Sequence, residues 1–329
     1  MNTPASTSAV NPNPRRQRRS RASRLLHSPV FFPLVGFIAV FIVMALVNDN
    51  FLLPNNLTNV ARQGAIIGII AVGMSFAIFT GGIDLSVGPV MALSGTIMAG
   101  LMAGGWPPTV AVIAGLLLGM VFGAFNGACV AFARMPPIIV TLATMGIARG
   151  LGLIYTGGYP ISGLPAGFAF FGRGEMLGIQ APIVIMLLVY LVAYIVLHHT
   201  AFGRYVYAIG GNEEATRLTG IRVPRYKLMV YTISGLTAAI AGLVITSRLM
   251  SGQPNAGTGF ELDAIAAVVL GGAAIAGGRG AILGTLVGAM LLAILNNGLN
   301  LMGVSPYLQD VVKGGIILLA IYIGRGRNA

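Results

Sequence analysis

The sequence predicts an all-α fold: a polytopic transmembrane helical bundle of about 10 membrane segments, with N- and C-termini cytoplasmic. Three observations carry this. Only 9% of the 329 residues are charged and 56% are hydrophobic. A soluble domain carries roughly 25% charged residues, so this chain cannot cover a surface in water. Its apolar residues are gathered into runs long enough to cross ~30 Å of hydrocarbon at ~1.5 Å per residue. Its 47 glycines sit inside those runs without a collagen repeat, as where membrane helices pack closely.

Residues 1–28 are a polar tail holding Arg15, Arg16, Arg18, Arg19, Arg21 and Arg24, half of the formal charge of +12. They read as a disordered cytoplasmic tail that orients the first helix by the positive-inside rule. The tail has no interleaved aromatic residues, which argues against a nucleic-acid partner. Residues 29–325 form a single membrane domain, solvated by lipid. Its expected segments are residues 30–47, 60–80, 90–104, 110–133, 138–155, 181–197, 228–246, 264–278, 281–302 and 305–323. The segment 264–278 is short for a span and is a candidate for re-entry. Basic residues support the orientation: the tail, Arg134, the polar stretch 198–227, Arg279, Arg325 and Arg327 fall inside. Arg173 and Arg248 are the outer exceptions. Glycines recur every fourth residue at Gly115, Gly119, Gly123 and Gly127, and again at Gly280, Gly284 and Gly288. Each series predicts a face for close helix packing.

The stretch 198–227 is the one sizeable polar island between long apolar runs. It carries Asn212, Glu213, Glu214, Arg217, Leu218 and Gly220, with Arg204, Arg222, Arg225 and Lys227 around them. A membrane protein that keeps such an island on one side uses it to touch a soluble partner. Two further stretches combine helix-breaking glycines with acids. Gly81-Gly82-Ile83-Asp84-Leu85-Ser86-Val87-Gly88-Pro89 places Asp84 and Ser86 either as a cap on the next helix or on a water-filled path. Gly257-Thr258-Gly259-Phe260-Glu261-Leu262-Asp263 places Glu261 and Asp263 at a helix start, where the dipole favours negative charge. Paired broken segments point to a transport pathway. Asn296 and Asn300, four apart, share a helix face with a polar path or an interhelical bond as their role. Asp310 and Lys313, three apart, are expected to form an intramembrane ion pair, and Arg149 a similar one.

Absences narrow the function. Lys227 and Lys313 are the only lysines, and neither stands in a Gly-x-x-x-x-Gly-Lys-[Ser/Thr] loop, so the chain has no P-loop for ATP. His198 and His199 are adjacent rather than at metal-ligand spacing, and Cys129 is the single cysteine. No metal, cofactor or catalytic residue is expected.

Several of these stretches together carry a resemblance. Gly81–Gly88, the run from Ala208 to Ile221, the run from Glu261 to Gly272 and Gly278–Gly284 resemble, in order, motifs of the permease subunits of ribose-, xylose- and galactose-type ABC importers. The likeness runs from about residue 30 to the end. It implies a non-catalytic, multi-pass subunit of the bacterial inner membrane that forms a monosaccharide pathway. The implied partners are an ABC ATPase subunit, a periplasmic sugar-binding protein and a second permease copy or sister permease. Glu213, Glu214 and Arg217 would lie on a coupling helix seated in the ATPase, and Asp84 and the Asn296/Asn300 face would lie near the path. Two rivals use the same residues. An ion-coupled secondary transporter would bind its ion at Asp84, Glu261 and Asp263. An intramembrane aspartyl enzyme would pair Asp84 with Asp263.

Overall fold

A computed structural model describes residues 30–325; the arginine tail, residues 1–28, lies outside the described residues. The helices are α1 Phe31–Val47, α2 Pro54–Phe79, α3 Val87–Ala103, α4 Pro108–Ala131, α5 Pro137–Thr156, α6 Phe170–Arg173, α7 Ala181–His199, α8 Ala201–Gly211, α9 Glu213–Leu218, α10 Val223–Leu249, α11 Phe260–Leu270, α12 Ile282–Leu301 and α13 Pro306–Arg325. The connection before α7 adds a two-residue antiparallel ribbon, β1 Glu175–Met176 and β2 Ile179–Gln180. Six helices, α2, α4, α5, α7, α10 and α12, are long and apolar enough to cross a membrane. Helices α1 and α3 are apolar but shorter.

Proline sets many of the starts. Helices α2, α4, α5, α7 and α10 each have proline in the first two positions, where its missing N–H has no helical partner to lose. α2 is the axis of the bundle: every residue from Gly64 to Phe79 is buried, and it touches α7, α10, α11 and α12. Apolar side chains such as Ile113, Leu117, Val121, Ile154, Leu188 and Val192 on α4, α5 and α7 stay exposed, as a surface solvated by lipid requires. The first glycine series lies along α4 at helix contacts, and Gly284 and Gly288 do so on α12, but Gly280, expected on the same helix, precedes its start and lies against the Phe79 ring. A Cβ at Gly123 would overlap the Tyr231 carbonyl on α10, and one at Gly288 would overlap the Ala267 carbonyl on α11. Small residues let these backbones touch.

The chain is broken at two places in the bundle interior. α2 ends at Phe79, and Gly81 turns the chain with φ +80°. Residues 82–86 then run without helix before α3 starts. Residues 250–259 are likewise non-helical, and Gly259, at φ +87°, opens α11. The expected segment 264–278 is helical only to Leu270. α11 has 11 residues, about 16 Å at 1.5 Å per residue, half a bilayer core. Gly271, Gly272, Gly277 and Gly278 stop it, three of them at positive φ. The Gly278 N–H then reaches the Phe79 carbonyl at 3.0 Å. The two breaks meet where Gly257 and Gly88 stack backbone on backbone.

Candidate functional site

The first site is the island, folded as two short helices rather than one. Thr200 caps α8, its hydroxyl accepting from the Gly203 N–H at 3.4 Å. α8 is amphipathic: Gly203, Val206 and Ile209 are buried while Arg204 is exposed. Asn212 ends α8 and caps α9, its Oδ1 accepting from the Ala215 N–H at 2.9 Å; a side-chain cap of this kind stabilises by about 1 kcal/mol. On α9 the Arg217 guanidinium grips Glu214 through two bonds of 2.5 and 3.0 Å. That contact holds the Glu214 carboxyl below, and Arg217 above, their usual values. Lys227 Nζ donates to Glu213 at 2.6 Å, tying α9 to the first turns of α10. Leu218 is 76% exposed, and Gly220, at φ +84°, makes the turn into α10. Glu213, Glu214, Arg217 and Leu218 therefore stand together on an outward surface. A groove of about 550 Å³ beside them is lined by Tyr205, Arg222, Arg225 and Tyr226.

α8 also touches the end of α2, where the first break begins, and the turn after α11. Gly210 has no room for a Cβ, because the Phe79 carbonyl and the Gly278 N–H press on it. Tyr207 stacks on Phe79 with ring centroids 5.2 Å apart, and its hydroxyl donates to the Gly280 carbonyl at 3.2 Å. The surface helix pair is thus in direct contact with the ends of α2 and of the turn after α11.

The second site is a polar knot at the first break. Asp84 is 1% exposed and Ser86 2%. Asp84 Oδ1 accepts from the Ser86 N–H at 3.0 Å and from the Ser86 hydroxyl at 2.6 Å. Asp84 Oδ2 accepts from the Ser234 hydroxyl of α10 at 2.7 Å. Asn126 Nδ2 of α4 donates to Ser86 Oγ at 2.8 Å. Ser86 occupies the N-cap position of α3 but makes no side-chain cap bond; Asp84 bonds its amide instead. The knot joins α3, α4 and α10 through one carboxylate. Sequence reasoning missed Asn126 and Ser234. Asn126 carried a signal, since it is the only amide side chain between residues 108 and 131; Ser234 carried none.

The remaining polar residues fall elsewhere. Glu261 and Asp263 lie in the first turn of α11. Glu261 abuts Gly88, and its Oε2 is buried with no hydrogen-bond partner. The expected Asp310–Lys313 pair is present at 3.8 Å, but Lys313 Nζ lies closer, at 3.2 Å, to Asp263. Asp263 is 9% exposed at its side chain and Asp310 78%, so the ammonium sits by the carboxylate that has lost water. Arg149 forms no ion pair among the described residues, contrary to the expectation. Asn300 is exposed and accepts from Gln309 Nε2 at 2.8 Å, while Asn296 is half-buried with its Oδ1 unpartnered. The strong amide contact is Asn297 with Asn56 of α2, a reciprocal pair at 2.8 and 3.0 Å.

Comparison with known proteins agrees with this architecture. The family profile described as branched-chain amino acid transport system / permease component matches residues 56–321. The ribose import permease protein RbsC of Bacillus subtilis (strain 168) is 50% identical over 299 residues, 90% of this chain and 93% of that protein. RbsC of Escherichia coli (strain K12) is 48% identical over 88% of this chain and 92% of its own length. The xylose transport system permease protein XylH of the same strain is 39% identical over 91% and 92%. No solved structure matches the chain. A multi-pass helical membrane protein that matches this profile over most of its length, and these relatives nearly end to end, belongs to the transport-system permease family.

Proposed function

We propose that the chain is the membrane-spanning permease subunit of a binding-protein-dependent ABC importer for a monosaccharide, with ribose the first sugar to test. The observation that carries this is 50% identity over 90% of the chain to a protein named as a ribose import permease. The family description mentions branched-chain amino acids, but near-full-length identity to sugar permeases is the more specific guide. A neutral sugar also suits an interior where Asp84 is occupied by serines and Asp263 by Lys313.

On this reading the protein lies in the bacterial inner membrane with ten segments and both termini in the cytoplasm. The run 250–278 then counts as one broken crossing. A separate ABC ATPase supplies the energy, since the chain has no P-loop lysine. The exposed cluster Glu213, Glu214, Arg217 and Leu218 seats in that ATPase, with Asn212 and Gly220 setting the ends of α9. Closure of the ATPase pushes α8, and Gly210 passes the push to Phe79, which leads into the first break, and to Gly278 in the turn that follows α11. Two permease copies, or this chain with a sister permease, enclose the path, and a periplasmic sugar-binding protein delivers the sugar. Asp84 and Ser86 hold the break at the start of α3 in shape, and Asn296 and Asn300 are candidates for the path wall.

The test is uptake into proteoliposomes containing the chain and its ATPase, with labelled pentoses and hexoses and their binding proteins outside. The expected result is ribose uptake that requires internal ATP and the binding protein. Uptake driven by an ion gradient alone would overturn the reading and make Asp84, Glu261 and Asp263 the ion-coupling candidates.

A further inference from the structure

At the end of the bundle opposite α8 and α9, three arginines from three elements come together. Arg62 lies in the first third of α2, Arg173 ends α6 and Arg248 is next to last in α10. α10 runs 27 residues from the α9 turn to this end, about 40 Å at 1.5 Å per residue. Arg62 Nε donates to Gln180 Oε1. Arg173 Nε donates to the Arg248 carbonyl at 2.7 Å. Gly172 packs directly on the Arg248 backbone. Arg62 and Arg173 are both near enough to Arg248 for their charges to act on it.

No carboxylate forms an ion pair with this cluster among the described residues; Glu175 stands two residues from Arg173, opposite Gln180 in the β1–β2 ribbon. The eight acidic residues of the chain are Asp49, Asp84, Glu175, Glu213, Glu214, Glu261, Asp263 and Asp310, all among the described residues. None pairs with these arginines; the described ion pairs join Glu213, Glu214, Asp263 and Asp310 to other cations. Neutral oxygens of Gln180 and the Arg248 backbone fix two of the three guanidinium groups in place, while each guanidinium carries five N–H donors. The result is a fixed, like-charged patch with spare donors in the fork geometry that matches carboxylates. Arg173 is exposed and stands on the connection before α7 rather than on a membrane-crossing helix.

We propose that Arg62, Arg173 and Arg248 are a docking patch for surface carboxylates of the periplasmic sugar-binding protein. This rests on the importer reading above, which puts the end opposite α8 and α9 on the periplasmic side. Charges at such a surface steer encounter and set salt dependence more than they set residence time.

The experiment uses the permease–ATPase complex in nanodiscs of neutral phosphatidylcholine and the ribose-loaded binding protein of the same transporter. Binding is followed by surface plasmon resonance at about 50 and about 300 mM NaCl, a range that shortens the screening length severalfold. Arg173→Gln with Arg248→Gln should weaken binding roughly tenfold, mainly through the association rate, and flatten the salt dependence. Arg173→Lys with Arg248→Lys should stay within about threefold, because the charge remains. Basal ATP hydrolysis should be unchanged in both. If the double glutamine variant fails to assemble, Arg173→Gln alone, at the exposed position, should still cost about threefold. Wild-type affinity and salt dependence in the glutamine variants would overturn the proposal. So would binding that appears only when phosphatidylglycerol is added, since the patch would then serve lipid. No binding to the wild-type complex in either lipid would overturn the importer reading, and this proposal with it.

Discussion

Asp84→Ala should be among the most destabilising single substitutions in the bundle. The carboxylate is the acceptor for three buried donors: the Ser86 N–H, the Ser86 hydroxyl and the Ser234 hydroxyl, at 3.0, 2.6 and 2.7 Å. Each buried donor left without a partner costs about 1–3 kcal/mol, so the total is about 3–9 kcal/mol. The serine hydroxyls can rotate toward carbonyls of their own helix turns, which favours the lower half of that range. The Ser86 amide has no such freedom. Asp84→Asn keeps one acceptor oxygen and the shape, and its new amide group meets a Ser234 hydroxyl that can turn to accept. It should cost about 1–2 kcal/mol, one weakened contact rather than three lost. The assay is thermal unfolding of detergent-solubilised protein followed by size-exclusion fluorescence. At about 2 °C per kcal/mol for a chain of this size, alanine should lower the midpoint by at least ~6 °C and asparagine by about 2–4 °C. A midpoint for Asp84→Ala within ~2 °C of wild type would refute the reasoning, and would mean that water replaces the carboxylate.

The other perturbations separate the remaining claims. Gly257→Ala puts a methyl group into the Gly88 carbonyl where the two breaks meet; uptake should fall at least about tenfold, more than 1.4 kcal/mol of barrier, and normal uptake would show that the contact is dispensable. Glu213→Arg with Glu214→Arg should abolish co-purification with the ATPase while the permease stays monodisperse, since both side chains are more than half exposed; retained assembly would sink the coupling assignment. Lys313→Met leaves Asp263 buried without its cation and should cost about 3–5 kcal/mol, whereas Asp310→Asn, at an exposed carboxylate, should cost no more than about 0.5 kcal/mol. Equal losses in those two variants, measured by thermal unfolding, would return Lys313 to Asp310.

Composition and run length alone determined that this chain lives in lipid, roughly where its helices lie, and where its one sizeable polar island stands. These properties are local: 18 apolar residues in a row need hydrocarbon whatever they pack against. Four-residue glycine spacing likewise marked the close contacts of α4 and, at Gly284 and Gly288, of α12, because it is a property of one helix face. What required the tertiary structure was every pairing between distant residues. Lys313 lies three residues from Asp310, yet sits closer to Asp263, 50 positions away, because burial makes the ammonium worth more there than at an exposed acid. Nothing along the chain says that Asn297 finds Asn56, or that Ser234 and Asn126 complete the Asp84 knot, because helix order in the bundle is set by packing. The arginine cluster was hidden for the same reason. Arg62, Arg173 and Arg248 are scattered over 187 residues and become one surface only when α2, α6 and α10 reach the same end of the bundle.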